Sequence, residues 1–178
     1  ELAIEAAGER ISAVNAATNI NKLLQISGGA VYTDTRDVVE FDVSNRLKVV
    51  EEVIEEASNK VLVFVPFTHT LDLLQRRLES KGITCGLISG KVSANKRFEL
   101  VQKFQSDPDP QVLLIQPQAA SHGLTLTAAD TIIWYAPVTS VETYLQANAR
   151  IDRHGQKNAM TVVHIKGSPV EDRLYRML

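Results

Sequence analysis

The sequence predicts an α/β fold, a parallel sheet with helices on both faces, and three observations carry that prediction. From Ser44 onward, short β-branched and aromatic runs alternate with stretches of helical periodicity. The run Val61-Leu-Val-Phe-Val65 is apolar without interruption, as a strand covered on both faces must be. The 178 residues include 44% hydrophobic and 22% charged side chains, a mix that buries a continuous core and excludes a disordered chain.

Taken in order, residues 1–26 place Ile11, Val14, Leu23, Leu24 and Ile26 on a loose helical repeat, so a helical arm is expected, ended by Gly28-Gly29. Ala30-Val-Tyr and Val38–Asp42 flank the polar Thr33-Asp-Thr-Arg-Asp37 and predict a short hairpin. Ser44 reads as the N-cap of a helix whose inner face is Leu47, Val50, Val53, Ile54 and Ala57. After the Val61–Val65 strand come a helix over 68–81, closed by Gly82, and a strand over 83–88. A further helix opens at Ser93, carries Phe98, Val101 and Phe104, and is stopped by Asp107-Pro-Asp-Pro110. Strands are expected at 112–115, 131–135 and 160–165, with a helix over 139–151. Ser168-Pro-Val-Glu171 is a capping box with proline at the first helical position. The division expected is an arm over 1–43 and a lobe over 44–178. A start at Glu1 and a final helix still running at Leu178 suggest a piece of a longer chain.

Composition narrows the chemistry. No apolar run approaches the roughly 20 residues that span a bilayer, so no membrane role is expected. A single cysteine, Cys85, excludes a disulfide framework and a cysteine-clustered zinc site, and the four histidines lack metal spacing. The net charge of −2 gives no overall positive field, so a nucleic-acid role has to rest on local positions. In a parallel sheet those positions are the loops at the carboxyl ends of the strands: 66–70, 89–93, 116–124 and 136–140.

The most informative stretch is Gln146-Ala-Asn-Ala-Arg150-Ile-Asp-Arg153-His-Gly-Gln156. On a helix, positions 146, 150 and 153 share a face, and two arginines there repel unless an anion is shared between them. Phosphate is the obvious anion. The bland alternative is a solvated face whose arginines pair with surface carboxylates.

This stretch resembles the last motif of superfamily-two helicases, closest to the Swi/Snf-type DNA-dependent ATPases, whose usual form is Gln-Ala-x-x-Arg-x-His-Arg-Ile-Gly-Gln. Other segments are similar in the same order. Lys60-Val-Leu-Val-Phe-Val-Pro-Phe-Thr68 with Leu71-Asp-Leu-Leu74 resembles the opening of the second lobe. Ser89-Gly90 with Arg97 and Phe104 resembles the next segment, and Gly123-Leu-Thr-Leu-Thr-Ala-Ala-Asp130 is close to Gly-x-Asn-Leu-x-x-Ala-Asp. Departures are Asp152 for histidine, His154 for isoleucine, Thr139 for tryptophan, Ala136 for aspartate, and the loop Gln116-Pro-Gln-Ala-Ala-Ser-His122. These departures and the arm suggest small phage or bacterial members, hence a cytoplasmic setting.

The resemblance implies a second RecA-like lobe. Arg150 and Arg153 would be arginine fingers to ATP and magnesium held mainly by a first lobe of the same chain, with Gln146 and Gly123 lining the nucleotide cleft. A finger is worth roughly 10³–10⁵ in rate, or about 4–7 kcal/mol. DNA, expected as duplex, would lie along Phe67, Thr68, His69, Ser89, Gly90 and Lys91, with Gln118, Ser121 and His122 coupling it to the cleft. His164 is expected in the core, and His154 beside the end of the arginine helix. The closest approach to a phosphate-cradling loop, Gly86–Val92, is one residue short and lacks the terminal hydroxyl, so the 178 residues alone are expected not to hydrolyse ATP. A Rossmann-type cofactor enzyme is disfavoured because no G-x-G-x-x-G occurs. A non-catalytic interaction module with degenerate motifs is the remaining alternative.

Overall fold

The computed structural model describes residues 2–6, 9–13, 16–33, 35, 37–121 and 123–178, with side chains from residue 17 on except that of Ser121. The two outermost strands of the amino-terminal arm, β1 (Leu2–Ala6) and β2 (Glu9–Ala13), pair antiparallel. The helical repeat expected over 1–26 is therefore corrected: helix α1 occupies only Ala16–Gly28. Leu2, Ile4 and Ala6 alternate, which is strand periodicity. The second hairpin, β3 (Ala30–Tyr32) with β4 (Val38–Glu40), lies where the sequence puts it.

Helix α2 (Ser44–Glu56) starts one residue off the expected cap. Its N-cap is Val43, and Ser44 instead gives its backbone N–H and its hydroxyl to the Asp42 carboxylate at 2.9 and 2.5 Å. The core sheet follows: β5 (Lys60–Phe64), β6 (Cys85–Ile88), β7 (Val112–Ile115), β8 (Ala129–Trp134) and β9 (Thr161–His164), in the spatial order β6-β7-β5-β8-β9 and parallel throughout. Helices α3 (Thr68–Ser80), α4 (Ala94–Ser106), α5 (Val141–Asn148) and α6 (Pro169–Met177) complete the lobe.

Alternation along the strands sorts the core into two layers. Leu62, Phe64, Leu113, Ile115, Ile132 and Trp134 face Val101 and Phe104 of α4, Ala147 of α5 and the ring of Tyr175 on α6. Val61, Val63, Val65, Leu114, Ile133 and Tyr135 face Leu47, Val50 and Ile54 of α2 and Leu71, Leu74 and Leu78 of α3. Val61 through Val65 are completely buried, as an uninterrupted apolar strand requires. One expectation fails here: His164, expected in the core, closes the edge strand β9 on the surface, and on α4 Phe98 points out of the core, 64% exposed.

Register sets the working edge. Phe64 is level with Ile115 and Trp134, Ile88 with Ile115, and Trp134 with His164, so the strands end together and their following loops share one rim. Beneath that rim, Arg46 on α2 donates to both Glu171 oxygens on α6 at 2.7 Å and to the Tyr135 carbonyl at 2.5 Å. Glu171 also accepts the Gly167 N–H at 2.8 Å, so this buried pair is fully hydrogen-bonded and ties two helices to β8.

Candidate functional site

The arginines do not sit on a regular helix. Ser140 caps α5 by accepting the Thr143 N–H at 3.2 Å, but the helix stops at Asn148. The backbone then winds more tightly: Arg150 N–H bonds Ala147 O, Ile151 N–H bonds Asn148 O, and Arg153 N–H bonds Ile151 O at 2.8 Å. The single helix face drawn through Gln146, Arg150 and Arg153 is thus corrected. Arg150 and Arg153 sit in a turn, and the Gln146 amide is engaged one turn back by Glu142 at 2.9 Å.

What holds this turn is its neighbour, the segment leading into β8. Ile151 is completely buried among the core residues. The Arg150 carbonyl accepts the Leu126 N–H at 3.1 Å, and Arg153 donates to the Thr125 hydroxyl at 3.2 Å. Gln156 closes the turn: its amide donates to the Ala129 carbonyl at 2.8 Å, and its oxygen accepts the N–H groups of Lys157 and Asn158 at 3.0 and 3.1 Å. Gly123 and Gly155, at φ +72° and +106°, take left-handed conformations at the start of that segment and in the turn.

Electrostatically the turn is unfinished. Arg150 is only 7% exposed, its Nε has no partner, and burial together with the nearby Arg153 charge holds its pKa below the usual guanidinium value. Among the described residues no carboxylate pairs with either arginine. Two like charges brought together and partly desolvated are costly, and an oxyanion bound between them would remove that cost.

Beside the turn, Gly123, Leu124 and Thr125 form one wall of a cavity of about 620 Å³ whose other wall is α4, through Ala94, Arg97, Phe98 and Gln102 among others.

The other expected site residues lie on the common rim. Phe67 is the N-cap residue of α3, Thr68 and His69 are in its first turn, and Ser89, Gly90 and Lys91 follow β6. Gln118 is in a 3₁₀ turn over Pro117–Ser121. Gln116 joins three of these loops, accepting the Gly90 N–H at 3.3 Å and donating to the Pro66 carbonyl at 3.4 Å. Ser89 is buried and accepts the Lys91 N–H, so it shapes its loop, whereas Lys91 is exposed. His69 is half-buried edge-on to Tyr32, with ring centroids 4.1 Å apart. Phe67 and Gln118 also line a cleft of about 320 Å³ with Asn21 and Gln25 of α1. The Ser121 side chain and His122 lie outside the described residues. Sequence reasoning passed over Thr125, Gln116 and the wall supplied by α1. Gln156 was visible as the end of the arginine motif, but its bracing role needs three-dimensional contacts.

Among the described residues no group of three or more His, Cys, Asp or Glu side chains is placed to hold a metal, and no helix is long and apolar enough to cross a membrane.

Comparison with known proteins follows the same lines. Residues 45–155 match the family described as helicase conserved C-terminal domain. The chain is 30% identical over 140 residues to mouse chromodomain-helicase-DNA-binding protein 1-like, covering 76% of this chain and 15% of that protein. It is 31% identical over 136 residues to the chromatin-remodeling ATPase INO80 of Kluyveromyces lactis, covering 74% and 9%. A Mycoplasma pneumoniae ATP-dependent helicase is 29% identical over 129 residues, covering 72% and 12%. The chain thus spans less than a fifth of the length of these relatives. In structure it is similar to the C-terminal part of the Fun30 ATPase domain, with TM-score 0.70, 22% identity, and coverage of 74% of this chain and 44% of that one. The C-terminal domain of the DEAD-box protein Dbp5 matches at TM-score 0.62, 17% identity, and coverage of 75% and 76%.

Proposed function

The chain belongs to the helicase conserved C-terminal domain family, and from that premise we propose that it is the carboxyl-terminal motor lobe of an ATP-dependent DNA translocase or helicase. Arg150 and Arg153 act as arginine fingers on ATP held by a first RecA-like lobe of the same protein. The observation that carries this reading is the buried Arg150 guanidinium, unpaired at Nε and crowded by Arg153, on a turn braced by the segment that leads into β8.

The residues present fit a triphosphate. Guanidinium donors offer a planar, permanently charged fork to phosphoryl oxygens, and their effect is greatest on charge that develops during transfer. Bound ATP supplies the transferable phosphoryl group. Arg150 stabilises it from a fixed, partly desolvated position, and Arg153 adds a second charge from the exposed side, oriented by Thr125. Magnesium would accompany the triphosphate on the first lobe, held there by one or two carboxylates and the phosphate oxygens.

Duplex DNA lies along the rim formed by Phe67, Thr68, His69, Ser89, Gly90, Lys91 and Gln118. These are backbone contacts that position without reading sequence. With so few cations there, the 178 residues alone bind DNA weakly and lose that binding steeply with salt, and they do not hydrolyse ATP.

The test is DNA-stimulated ATP hydrolysis by the full-length protein carrying Arg150→Ala or Arg153→Ala. Each substitution lowers turnover by about 10³-fold or more. Wild-type turnover in either variant overturns the assignment and favours a non-catalytic interaction module.

A further inference from the structure

Thr125 and Gln156 hold the far end of the arginine turn. The near end is held from the sheet, by the chain's single tryptophan. Trp134 closes β8, level with Phe64, and is completely buried. An indole N–H so placed needs an acceptor, and it finds Oδ1 of Asn148 at 3.0 Å. The ring is itself fixed, tilted against Phe64 and against Tyr144 of α5 with centroids 4.7 and 5.0 Å apart. Because the indole nitrogen only donates, the bond also decides which way the Asn148 amide is turned.

Asn148 stands where the backbone changes pitch. It is the last residue of α5. The Ala149 N–H still reaches back four residues to the Leu145 carbonyl, whereas the Arg150 and Ile151 N–H groups reach back three, to Ala147 and to Asn148. One residue therefore binds the sheet with its side chain and the turn with its main-chain carbonyl. Two positions on, Arg150 leaves the turn with its Nε unpartnered. Asparagine is a poor helix former, and the Trp134 bond accounts for its place on α5.

We propose that Asn148 is a positioning residue: held by the Trp134 N–H, it sets where the helix gives way to the turn and so aims the Arg150 guanidinium. The inference rests on the arginine-finger reading above. It adds a residue that acts through Arg150 and leaves nucleotide and DNA untouched. The effect belongs to kcat, since a finger works on charge that develops during transfer.

The experiment is DNA-stimulated ATP hydrolysis by the full-length protein, at a temperature where circular dichroism shows each variant folded. Asn148→Leu keeps the side-chain volume and removes the acceptor, and Trp134→Phe keeps a ring and removes the donor. Each lowers kcat by about 10- to 100-fold, the cost of a reacting group misplaced by about 1 Å, and leaves KM for ATP within about twofold of wild type. Asn148→Ala, which adds no bulk, carries the same expectation if Asn148→Leu does not fold. Added to Arg150→Ala, Asn148→Leu changes the residual turnover by less than about twofold, because the aim of an absent side chain has no effect. Wild-type kcat in Asn148→Leu beside an inactive Arg150→Ala overturns the positioning role and leaves the arginine reading standing. A raised KM at unchanged kcat, or a further loss of about tenfold on top of Arg150→Ala, overturns it as well, since Asn148 then acts by another route. Wild-type turnover in Arg150→Ala overturns both readings.

Discussion

Arg150 carries its charge where water is largely excluded, with its carbonyl committed to Leu126 and its Nε committed to nothing. Lysine cannot take over this position: a compact ammonium lacks the planar fork and loses its proton readily when desolvated. Arg150→Lys is therefore expected to recover little of the activity lost in Arg150→Ala, measured as ATP turnover. Gln156 is the quieter partner. Its three hydrogen bonds hold the return of the turn, at about 0.5–1.5 kcal/mol each. Gln156→Ala should cost about 1–3 kcal/mol in urea unfolding and also lower turnover, because the arginines lose their brace. The two arginines stand out in the motif that resembles the family, but the helix face drawn from their spacing gives way to a turn after Asn148. The brace was not legible, since the Ala129 carbonyl and the Thr125 hydroxyl are brought to the turn only by the sheet.

At the scale of elements, the Arg46–Glu171 pair joins α2 to α6 across 125 residues of sequence. Removing one member leaves an unpaired buried charge, which costs about 3–5 kcal/mol, whereas replacing both with apolar residues of similar volume costs far less. Arg46→Met and Glu171→Leu, singly and together, should show this non-additivity in denaturant midpoints. The elements themselves were mostly readable. An uninterrupted apolar run marked β5, and the Ser168 capping box marked α6, where the Ser168 hydroxyl accepts the Glu171 N–H at 3.4 Å. The amino-terminal strands were misread as helix because Ile11 and Val14 fall at helical spacing, while their strand character depends on the pairing of Leu2–Ala6 with Glu9–Ala13. The α5 boundary was overrun for a related reason. Its sequence continues the helical pattern, but the Leu126 and Thr125 contacts draw the chain into a tighter turn. Tertiary contacts outweigh local propensity at both places.

For the whole molecule, the edge of the sheet makes stability depend on pH. His164 shares a 2.9 Å hydrogen bond with the Tyr144 hydroxyl and stacks on Tyr175 with ring centroids 4.4 Å apart. Partial burial of the ring, though the residue lies at the surface, lowers its pKa from 6.5, so the unfolded chain takes up the proton first. The native state keeps its full stability above about pH 6.5 and loses part of it as pH falls below that value. Thermal unfolding followed from pH 7.5 to 5.5 should show a falling Tm, and His164→Phe should flatten this part of the dependence.

The layering of the core has a practical consequence. The arginine turn and the α4 cavity belong to one side of the sheet, while Val61, Val63, Leu114 and Ile133 face the opposite layer of α2 and α3. The interior of that second layer lies on the far side of the sheet from Arg150 and Arg153, so repacking Val50, Ile54 or Leu78 there should move the melting point while the arginine turn keeps its geometry.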